Sequence, residues 1–150
     1  MVTQIADRVG LQSVIVFLDI KKRLLGGYEI YTHNGKKSTG INPIKFAKEL
    51  EKLGVGEIII NSIDQDGVMK GYDFNLIDKI AETISIPLTV LGGAGSMSDI
   101  EKVIEKHGVI GVAAGSLFVF KGPYKAVLIN YPTQIEKNKI FKINKSGNTE

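Results

Sequence analysis

The sequence predicts an α/β fold in which helices cover a parallel sheet, and three observations support this prediction. Short apolar runs recur along the chain, and segments with helical periodicity separate them. The runs are nearly continuous rather than alternating, as expected for strands of a parallel sheet that is covered on both faces. Aspartate or glycine follows each run, where a strand gives way to a loop. Strands and helices that alternate in this way form βαβ units.

The size and composition fit one soluble domain. The chain has 150 residues, of which 43% are hydrophobic and 23% are charged, values close to those of globular proteins. No apolar run is long enough to span a bilayer and no signal peptide is evident, so we expect a cytoplasmic protein without a membrane partner. Cysteine is absent and the net charge is only +3. Because no basic motif with interleaved aromatics occurs, we do not expect nucleic acid as a partner.

The predicted elements follow one another along the chain as strand, hairpin, helix and three further strand–helix steps. Strands are predicted at 13–20, 56–62, 87–91 and 109–116, and helices at 42–54, 74–84 and 98–108. Asn42 is the expected cap of its helix, Pro43 suits its first position and Gly54 its end. A small hairpin with a primed turn at Asn34-Gly35 is expected as an insertion near 28–38. A domain over 1–132 is followed by a poorly ordered tail at 133–150, which lacks a core pattern.

Four strands are too few to close an eight-stranded barrel. Right-handed crossovers would leave them as a curved open sheet with its helices outside. Two strand edges and an apolar face would then lack cover. The chain is therefore either a small α/β domain of another shape or half of a barrel.

Polar residues and glycines follow the predicted strands. In a parallel sheet all carboxyl ends lie at the same edge, where α/β proteins bind their ligands. The residues at these ends are Asp19, Asp64, Asp66, Gly67, Gly92, Gly93, Gly95, Gly115 and Ser116. A turn also explains each signal taken alone, because aspartate and glycine favour turns without any ligand.

The segments GGAGS and AAGS are harder to explain by turns alone, because they follow adjacent strands and precede helical segments. Small residues let backbone N–H groups approach a phosphate, and a helix N-terminus adds partial positive charge. In barrels, a phosphate site commonly forms from the loops after strands seven and eight. The two strands would then be the last two of eight.

Five segments together resemble the cyclase subunit of imidazole glycerol phosphate synthase, a (βα)8 barrel. They are FLDIKK (17–22), YTHNGKKSTG (31–40), GVGEIIINSIDQDGVMKGYD (54–73), IPLTVLGGAGS (86–96) and AAGSLFVF (113–120). The resemblance extends from residue 4 to about residue 120 and corresponds to βα units five to eight. It implies half of a TIM barrel, without the first half.

The resemblance implies a lyase reaction of histidine biosynthesis. The family takes ammonia from a glutaminase partner and combines it with a bisphosphorylated ribulosyl aminoimidazole carboxamide nucleotide. The products are imidazole glycerol phosphate and the aminoimidazole carboxamide ribonucleotide. Two carboxylates act as general acid and base. Asp19 matches the one on the fifth strand, and the one on the first strand has no counterpart here, so we expect little activity from this half alone.

The same resemblance assigns the other site residues. Substrate and phosphate contacts are implied for Asn61, Asp64, Asp66, Gly67, Gly92, Gly93, Gly115 and Ser116. Within this set, Asp64 is interpreted more as a loop organiser than as a ligand. Glu57 resembles a charged residue of the ammonia gate at the opposite face, with a solvated strand-start carboxylate as the alternative. Neither His33 nor His107 has a second histidine at metal-ligand spacing, so we assign no metal and no cofactor.

Three departures leave other functions open. Gln65 stands where the family usually has arginine, Asn61 where threonine is common, and the ending FVFKGPYKAVLINYP is unusual. This ending resembles a paralogous branch found in surface-polysaccharide gene sets, which is thought to supply ammonia for amidating a sugar. A third hypothesis is a non-catalytic half-barrel that pairs its exposed edges with a second copy.

Overall fold

The computed structural model describes residue 8, residues 10–122 and residues 124–143. Within these residues, six strands form one sheet in the order β3-β2-β1-β4-β5-β6. The strands are β1 (Ile15–Lys22), β2 (Tyr28–Thr32), β3 (Lys37–Ser38), β4 (Glu57–Ser62), β5 (Leu88–Leu91) and β6 (Gly111–Val112). Strands β1, β4, β5 and β6 pair in parallel, and the antiparallel hairpin β2–β3 is added beside β1. The predicted mostly parallel α/β sheet is confirmed.

Among the described residues, three helices lie between the parallel strands along the chain, and two more follow the last of these strands. They are α1 (Pro43–Leu53), α2 (Phe74–Ala81), α3 (Met97–His107), α4 (Ser116–Val119) and α5 (Gln134–Ile143). The predicted limits of α1 are confirmed, because the Asn42 side chain accepts hydrogen bonds from the N–H groups of Ile44 and Lys45, and Gly54 ends the helix at φ 84°. In the described part of the chain, no helix combines the length and hydropathy that a membrane span requires.

Three predicted elements have wrong limits. The strand predicted at 13–20 runs from Ile15 to Lys22, and Ser13 ends a short 3-10 helix. The strand predicted at 109–116 is limited to Gly111–Val112, and Ser116 already begins α4. β6 is the outermost strand of the described sheet, so only one neighbour can extend its ladder of hydrogen bonds. The helix predicted at 74–84 ends at Ala81, and the chain turns there because the Thr83 N–H bonds the Ile80 carbonyl at 2.9 Å.

The chain forms further structure after the fourth parallel strand. A second, two-stranded sheet pairs β7 (Phe120–Lys121) with β8 (Ala126–Val127). Helix α5 then forms in the region where the sequence analysis expects a tail, and it buries Ile140 to 5% exposure. Residues 144–150 of that expected tail lie outside the described residues.

The hairpin turn between β2 and β3 has the backbone that its sequence predicts. The Lys36 N–H bonds the His33 carbonyl at 3.3 Å, and the two residues between them, Asn34 and Gly35, have φ values of 56° and 74°. Of the primed turns, type I′ requires positive φ at both of these positions. The hairpin pairs with only the carboxyl-terminal half of β1, from Asp19 to Lys22.

The core lies between the sheet and its helices, on one face of the sheet only. Along β1, Leu18 and Ile20 are 4% and 0% exposed, whereas Ile15 and Phe17 are 56% and 50% exposed. Successive side chains of a strand point to opposite faces. The face that carries Leu18 and Ile20 is therefore packed against the helices. The other face, which carries Ile15 and Phe17, is apolar and exposed, and we call it the open face.

Candidate functional site

The predicted catalytic carboxylate, Asp19, is held by an amide from the neighbouring strand. Asp19 on β1 and Asn61 on β4 are direct partners in the parallel register. The Asn61 side-chain N–H2 group donates to Asp19 Oδ1 at 2.9 Å. Because Leu18 and Ile20 point into the core, Asp19 lies on the open face of the sheet. The amide fixes the orientation of the carboxylate and leaves its second oxygen toward that face.

The other end of the Asn61 amide has no partner. Asn61 is only 7% exposed, and its Oδ1 atom accepts no hydrogen bond from the described residues. Gly92 lies next to it, since a Cβ atom at residue 92 would come within 2.8 Å of Asn61 Oδ1 and 2.7 Å of the Ser62 carbonyl oxygen. Buried polar atoms are usually paired. The unpaired Asn61 oxygen is an exception to this rule within the described part of the chain.

The loops after β4, β5 and β6 together enclose one small cavity at the carboxyl ends of the strands. Its lining consists of Asp66, Gly67, Leu91, Gly92, Gly93, Ala94, Ala114, Gly115 and Ser116. Six of the predicted site residues belong to this lining, namely Asp66, Gly67, Gly92, Gly93, Gly115 and Ser116. Small side chains around such a cavity allow backbone N–H groups to approach an anion.

Glycine is needed in the loop after β5 for a second reason. The Gly71 N–H bonds the Gly93 carbonyl at 2.8 Å, and a Cβ atom at residue 93 would lie 2.1 Å from the Gly71 carbonyl oxygen. A Cβ atom at Gly95 would lie 2.1 Å from the carbonyl oxygen of Met69. The loops after β4 and β5 thus touch backbone to backbone. Close packing, as well as access for a ligand, requires these glycines.

The N-terminus of α3 is occupied by a side chain of the helix itself. Asp99 Oδ2 accepts hydrogen bonds from the N–H groups of Gly95 and Ser96 at 3.1 and 3.0 Å. The Ser96 hydroxyl oxygen in turn accepts from the Asp99 N–H at 3.3 Å. This arrangement is a capping box. The partial positive charge of this helix end, which was expected to attract a phosphate, is therefore directed at the Asp99 carboxylate.

Asp64 ties the loop after β4 to the end of β1. Its Oδ2 atom accepts a hydrogen bond from the Lys22 N–H at 2.7 Å. Asp64 is not part of the cavity lining, unlike Asp66 and Gly67 in the same loop. The geometry favours the interpretation of Asp64 as a residue that organises the loop.

Two residues that support the loops were not identified as important from the sequence. The Tyr72 hydroxyl donates to the Ala113 carbonyl at 2.7 Å and connects the loop after β4 with the end of β6. Asp73 is 7% exposed, caps α2 and accepts from the Tyr28 hydroxyl at 3.0 Å. Burial and this hydrogen bond raise the pKa of the Tyr28 phenol above its ordinary value. The sequence does carry one signal, because an aspartate directly before FNLI is a typical helix cap.

Glu57 lies at the opposite end of the parallel strands. It begins β4, and the Thr89 hydroxyl donates to its Oε1 atom at 2.6 Å. A second cavity is lined by Glu57 and Thr89 together with residues such as His107 and Gly111. Glu57 is therefore far along the strands from the glycine-lined cavity. It lies at the end opposite to that cavity, where the ammonia gate was expected.

Each of the two histidines contacts a neighbouring side chain. His107 Nε2 lies 3.1 Å from Asp78 Oδ1, and His33 Nδ1 lies 3.1 Å from the Thr32 hydroxyl. Within the described residues, no three His, Cys, Asp or Glu side chains are grouped so that they could hold a metal ion.

Comparison with known proteins shows the family of this chain. Residues 1–125 match the family described as histidine biosynthesis protein. A putative imidazole glycerol phosphate synthase subunit, hisF3 of Vibrio vulnificus, is 51% identical over 144 residues, which cover 95% of this chain and 55% of that protein. A putative HisF subunit of Leptospira interrogans is 49% identical over 142 residues, covering 94% of this chain and 56% of that protein.

A third relative is named as a synthase subunit without the word putative. The imidazole glycerol phosphate synthase subunit HisF of Hyphomonas neptunium is 40% identical over 121 residues, which cover 80% of this chain and 47% of that protein. The chain thus spans about half the length of the curated relatives it matches. Its parallel βα units form half of a (βα)8 barrel, as the sequence predicts. Since the family match covers most of its length, the chain belongs to the histidine biosynthesis protein family.

Proposed function

We propose that this chain forms the phosphate-binding side, with one of two catalytic carboxylates, of an ammonia-dependent cyclase. The observation that carries the proposal is a coincidence of position. Six residues assigned to phosphate contacts from the sequence line one cavity, and Asn61 links that cavity to Asp19 through its contact with Gly92. Ligands of parallel α/β sheets bind at this edge.

Asp19 is the proposed general acid or base of this half. Its fixed carboxylate can take a proton from an attacking amine or return one to a leaving group. A barrel cyclase places a second carboxylate across the mouth, on a strand that is not among those of the described residues. The substrate is a bisphosphorylated ribulosyl aminoimidazole carboxamide nucleotide. One of its phosphates would lie among the small residues of the cavity, and its reacting centre would lie near Asp19.

The open face of the sheet provides a path from the opposite end. Glu57, Ile59 and Asn61 alternate along β4 and share this face, with Ile15 and Phe17 opposite the first two in the register. The Glu57 carboxylate lies at one end of this face, apolar side chains lie in the middle, and the Asn61–Asp19 pair lies at the other end. We propose that ammonia from a glutaminase subunit enters beside Glu57, where Thr89 holds the carboxylate, and moves along this face.

Turnover with a complementing half tests the proposal. The chain is assayed with ammonium and the bisphosphate substrate, alone and after mixing with the part of the Vibrio vulnificus relative that the alignment does not cover. We expect little product from the chain alone and clear turnover from the mixture. Asp19→Asn should lower kcat about 10²–10⁴-fold, the usual contribution of a general acid or base.

The matched control is Glu105→Gln. It makes the same acid-to-amide change on an exposed position of α3 and should leave turnover unchanged. If Asp19→Asn is as active in the mixture as the unaltered chain, Asp19 is not the catalytic carboxylate.

A second candidate function is ammonia supply for amidating a sugar of a surface polysaccharide. This chain is 46–52% identical to four relatives that are named only as putative synthase subunits. It is less similar, 36–40% identical, to two relatives that are named as synthase subunits without that word. The hairpin β7–β8 also follows the cavity in the segment with the unusual ending. Supplying the complemented protein and its glutaminase with the bisphosphate and with the sugar substrate, and measuring product from each, separates the two functions.

A third candidate is a non-catalytic assembly role, which the open face with Phe17 favours. In that case the chain would associate with a second copy and give no turnover even in the complemented mixture. The same assay therefore distinguishes it from both enzymatic functions.

A further inference from the structure

We propose that Lys125, near the tip of hairpin β7–β8, supplies the positive charge of the phosphate cavity. The Lys125 ammonium donates to the Gly67 carbonyl at 3.1 Å, across 58 positions of sequence. Gly67 is part of the cavity lining, so the ammonium lies at the rim of the cavity. The inference rests on the proposed function, since it names the group that would neutralise the bound phosphate.

The charge of the cavity itself calls for such a group. Among the residues described as its lining, Asp66 carries the only ionisable side chain. A phosphate placed beside this carboxylate would meet charge of the same sign. The α3 N-terminus does not compensate, because Asp99 already occupies it. Lys125 brings a positive charge to the rim.

The donor count of the ammonium suits this role. An ammonium group has three N–H donors and no acceptor. One donor of Lys125 is directed at the Gly67 carbonyl, so two remain for phosphate oxygens or water. The contact with Gly67 thus positions the charge without using up its capacity to bind an anion.

The hairpin is tied to the element that carries Ser116. The Leu128 N–H bonds the Val119 carbonyl, and the Asn130 N–H bonds the Phe118 carbonyl, both at 2.9 Å. Val119 and Phe118 belong to α4, which begins at Ser116 in the cavity lining. These bonds hold the base of the hairpin against α4, and the contact between Lys125 and Gly67 places its tip at the rim of the cavity.

The backbone at Lys125 is also unusual. Its φ is 48°, in the left-handed region that residues other than glycine rarely adopt. The Lys125 N–H bonds the Gly122 carbonyl at 3.1 Å and closes the turn. Strained backbone of this kind is concentrated at functional sites, where the surrounding structure maintains it. Glycine or asparagine adopts this conformation more readily than lysine. We therefore infer that a lysine occupies the position because its ammonium group is needed there.

Titration with inorganic phosphate tests the inference. The full chain, labelled with ¹⁵N, is titrated at low ionic strength while the amide signals of Gly67, Gly93 and Ser116 are followed. We expect saturable shifts for the unaltered chain. Lys125→Gln should weaken binding about tenfold, since an ammonium–phosphate contact is a charge-assisted hydrogen bond at an exposed site. Lys125→Arg, which keeps the charge, should restore most of the affinity.

Two controls separate charge at the site from a general or structural effect. Lys79→Gln removes the same charge from an exposed position of α2 and should change the dissociation constant less than twofold. Raising the salt concentration should weaken binding to the unaltered chain more steeply than to Lys125→Gln, because screening acts on the charge that the variant lacks.

The outcomes distinguish this inference from the proposed function. If the unaltered chain shows no shifts at these amides, the phosphate cavity itself fails, and the role of Lys125 fails with it. If the unaltered chain binds and Lys125→Gln binds equally well, only the role of Lys125 is overturned. It is also overturned if affinity falls in Lys125→Gln while the salt dependence stays the same, since the lysine would then only hold Gly67.

Discussion

Gly93 shows how little room the backbone leaves beside the cavity. Its φ is 116°, and a Cβ atom there would lie 2.1 Å from the Gly71 carbonyl oxygen. Gly26 also has a positive φ, 92°, but a Cβ atom there would meet nothing within 4 Å. An alanine at residue 26 would therefore meet only the strain of a left-handed backbone, whereas an alanine at residue 93 would also meet a steric clash.

We expect Gly93→Ala to lower the free energy of unfolding by about 3 kcal/mol or more, because both strain and a backbone clash oppose it. Gly26→Ala should cost only about 1 kcal/mol, the penalty of the left-handed conformation. Urea unfolding of both variants measures the difference. Equal costs would show that the two loops can separate without loss.

Glu29 makes stability depend on pH. The hydrogen bond from the Ser38 hydroxyl, followed by one from the Gly40 N–H, holds the pKa of the Glu29 carboxyl below its ordinary value of 4.5. The folded state therefore favours the carboxylate. Its contribution to stability is present above the unfolded pKa and is lost as the pH falls through the lower folded pKa.

The variant Glu29→Gln removes this dependence. The difference in unfolding free energy between the unaltered chain and Glu29→Gln should be largest near about pH 6 and should shrink as the pH falls below about 4.5. Urea unfolding at a series of pH values measures it. A difference that stays constant over this range would mean that the Glu29 carboxyl titrates alike in both states.

At the scale of elements, the site depends on loops from three strands that hold one another. Gly71 and Gly93 join the loops after β4 and β5, and the Tyr72 hydroxyl joins the first of these to the end of β6. Burial raises the pKa of the Tyr72 phenol above its ordinary value, and the Asp99 carboxylate adds to this. The phenol thus remains a proton donor to Ala113 over the neutral and mildly alkaline range.

Tyr72→Phe should lower the free energy of unfolding by about 1–2 kcal/mol, because it removes one hydrogen bond and leaves the Ala113 carbonyl unpaired. It should also weaken phosphate binding, since Gly67 and Ser116 line the same cavity from the two loops that the bond connects. Denaturant unfolding and the phosphate titration test the two effects. Phosphate affinity that is unchanged in Tyr72→Phe would show that the loops are positioned independently.

The whole molecule has one packed and one open face. Phe17 and Ile15 remain half exposed on the open face, and β6 ends the described sheet at one side. Exposed apolar area of this kind favours association by about 25 cal/mol for each Å² that is buried. Under the proposed function, a complementing half of the barrel would cover this face.

Phe17→Lys should weaken association with that complementing half, because it places a charge in the apolar interface. Leu24→Lys is the matched control, since Leu24 is fully exposed in the loop after β1 and not on the strand itself. Sedimentation equilibrium of the mixtures at micromolar concentration measures the effect. If both variants associate like the unaltered chain, the open face is not the interface.

Local signals sufficed where one residue type determines the outcome. Asn42, Pro43 and Gly54 predicted both ends of α1, and the Asn34-Gly35 pair predicted the backbone of its turn. Position at the ends of parallel strands brought Asp66, Gly93 and Ser116 to one cavity. These features follow from backbone geometry, which the order of residues specifies directly.

Contacts between distant segments could not be predicted in the same way. The sequence alone determined that parallel strands end in small and acidic residues at one edge, because the strand–helix alternation fixes where those ends lie. Only the tertiary structure decided that Asn61 holds Asp19, that Asp99 occupies the α3 N-terminus and that Lys125 reaches Gly67. The Asn61 and Lys125 contacts join residues 42 and 58 positions apart, and the packing of separate loops, rather than any local preference, sets such distances.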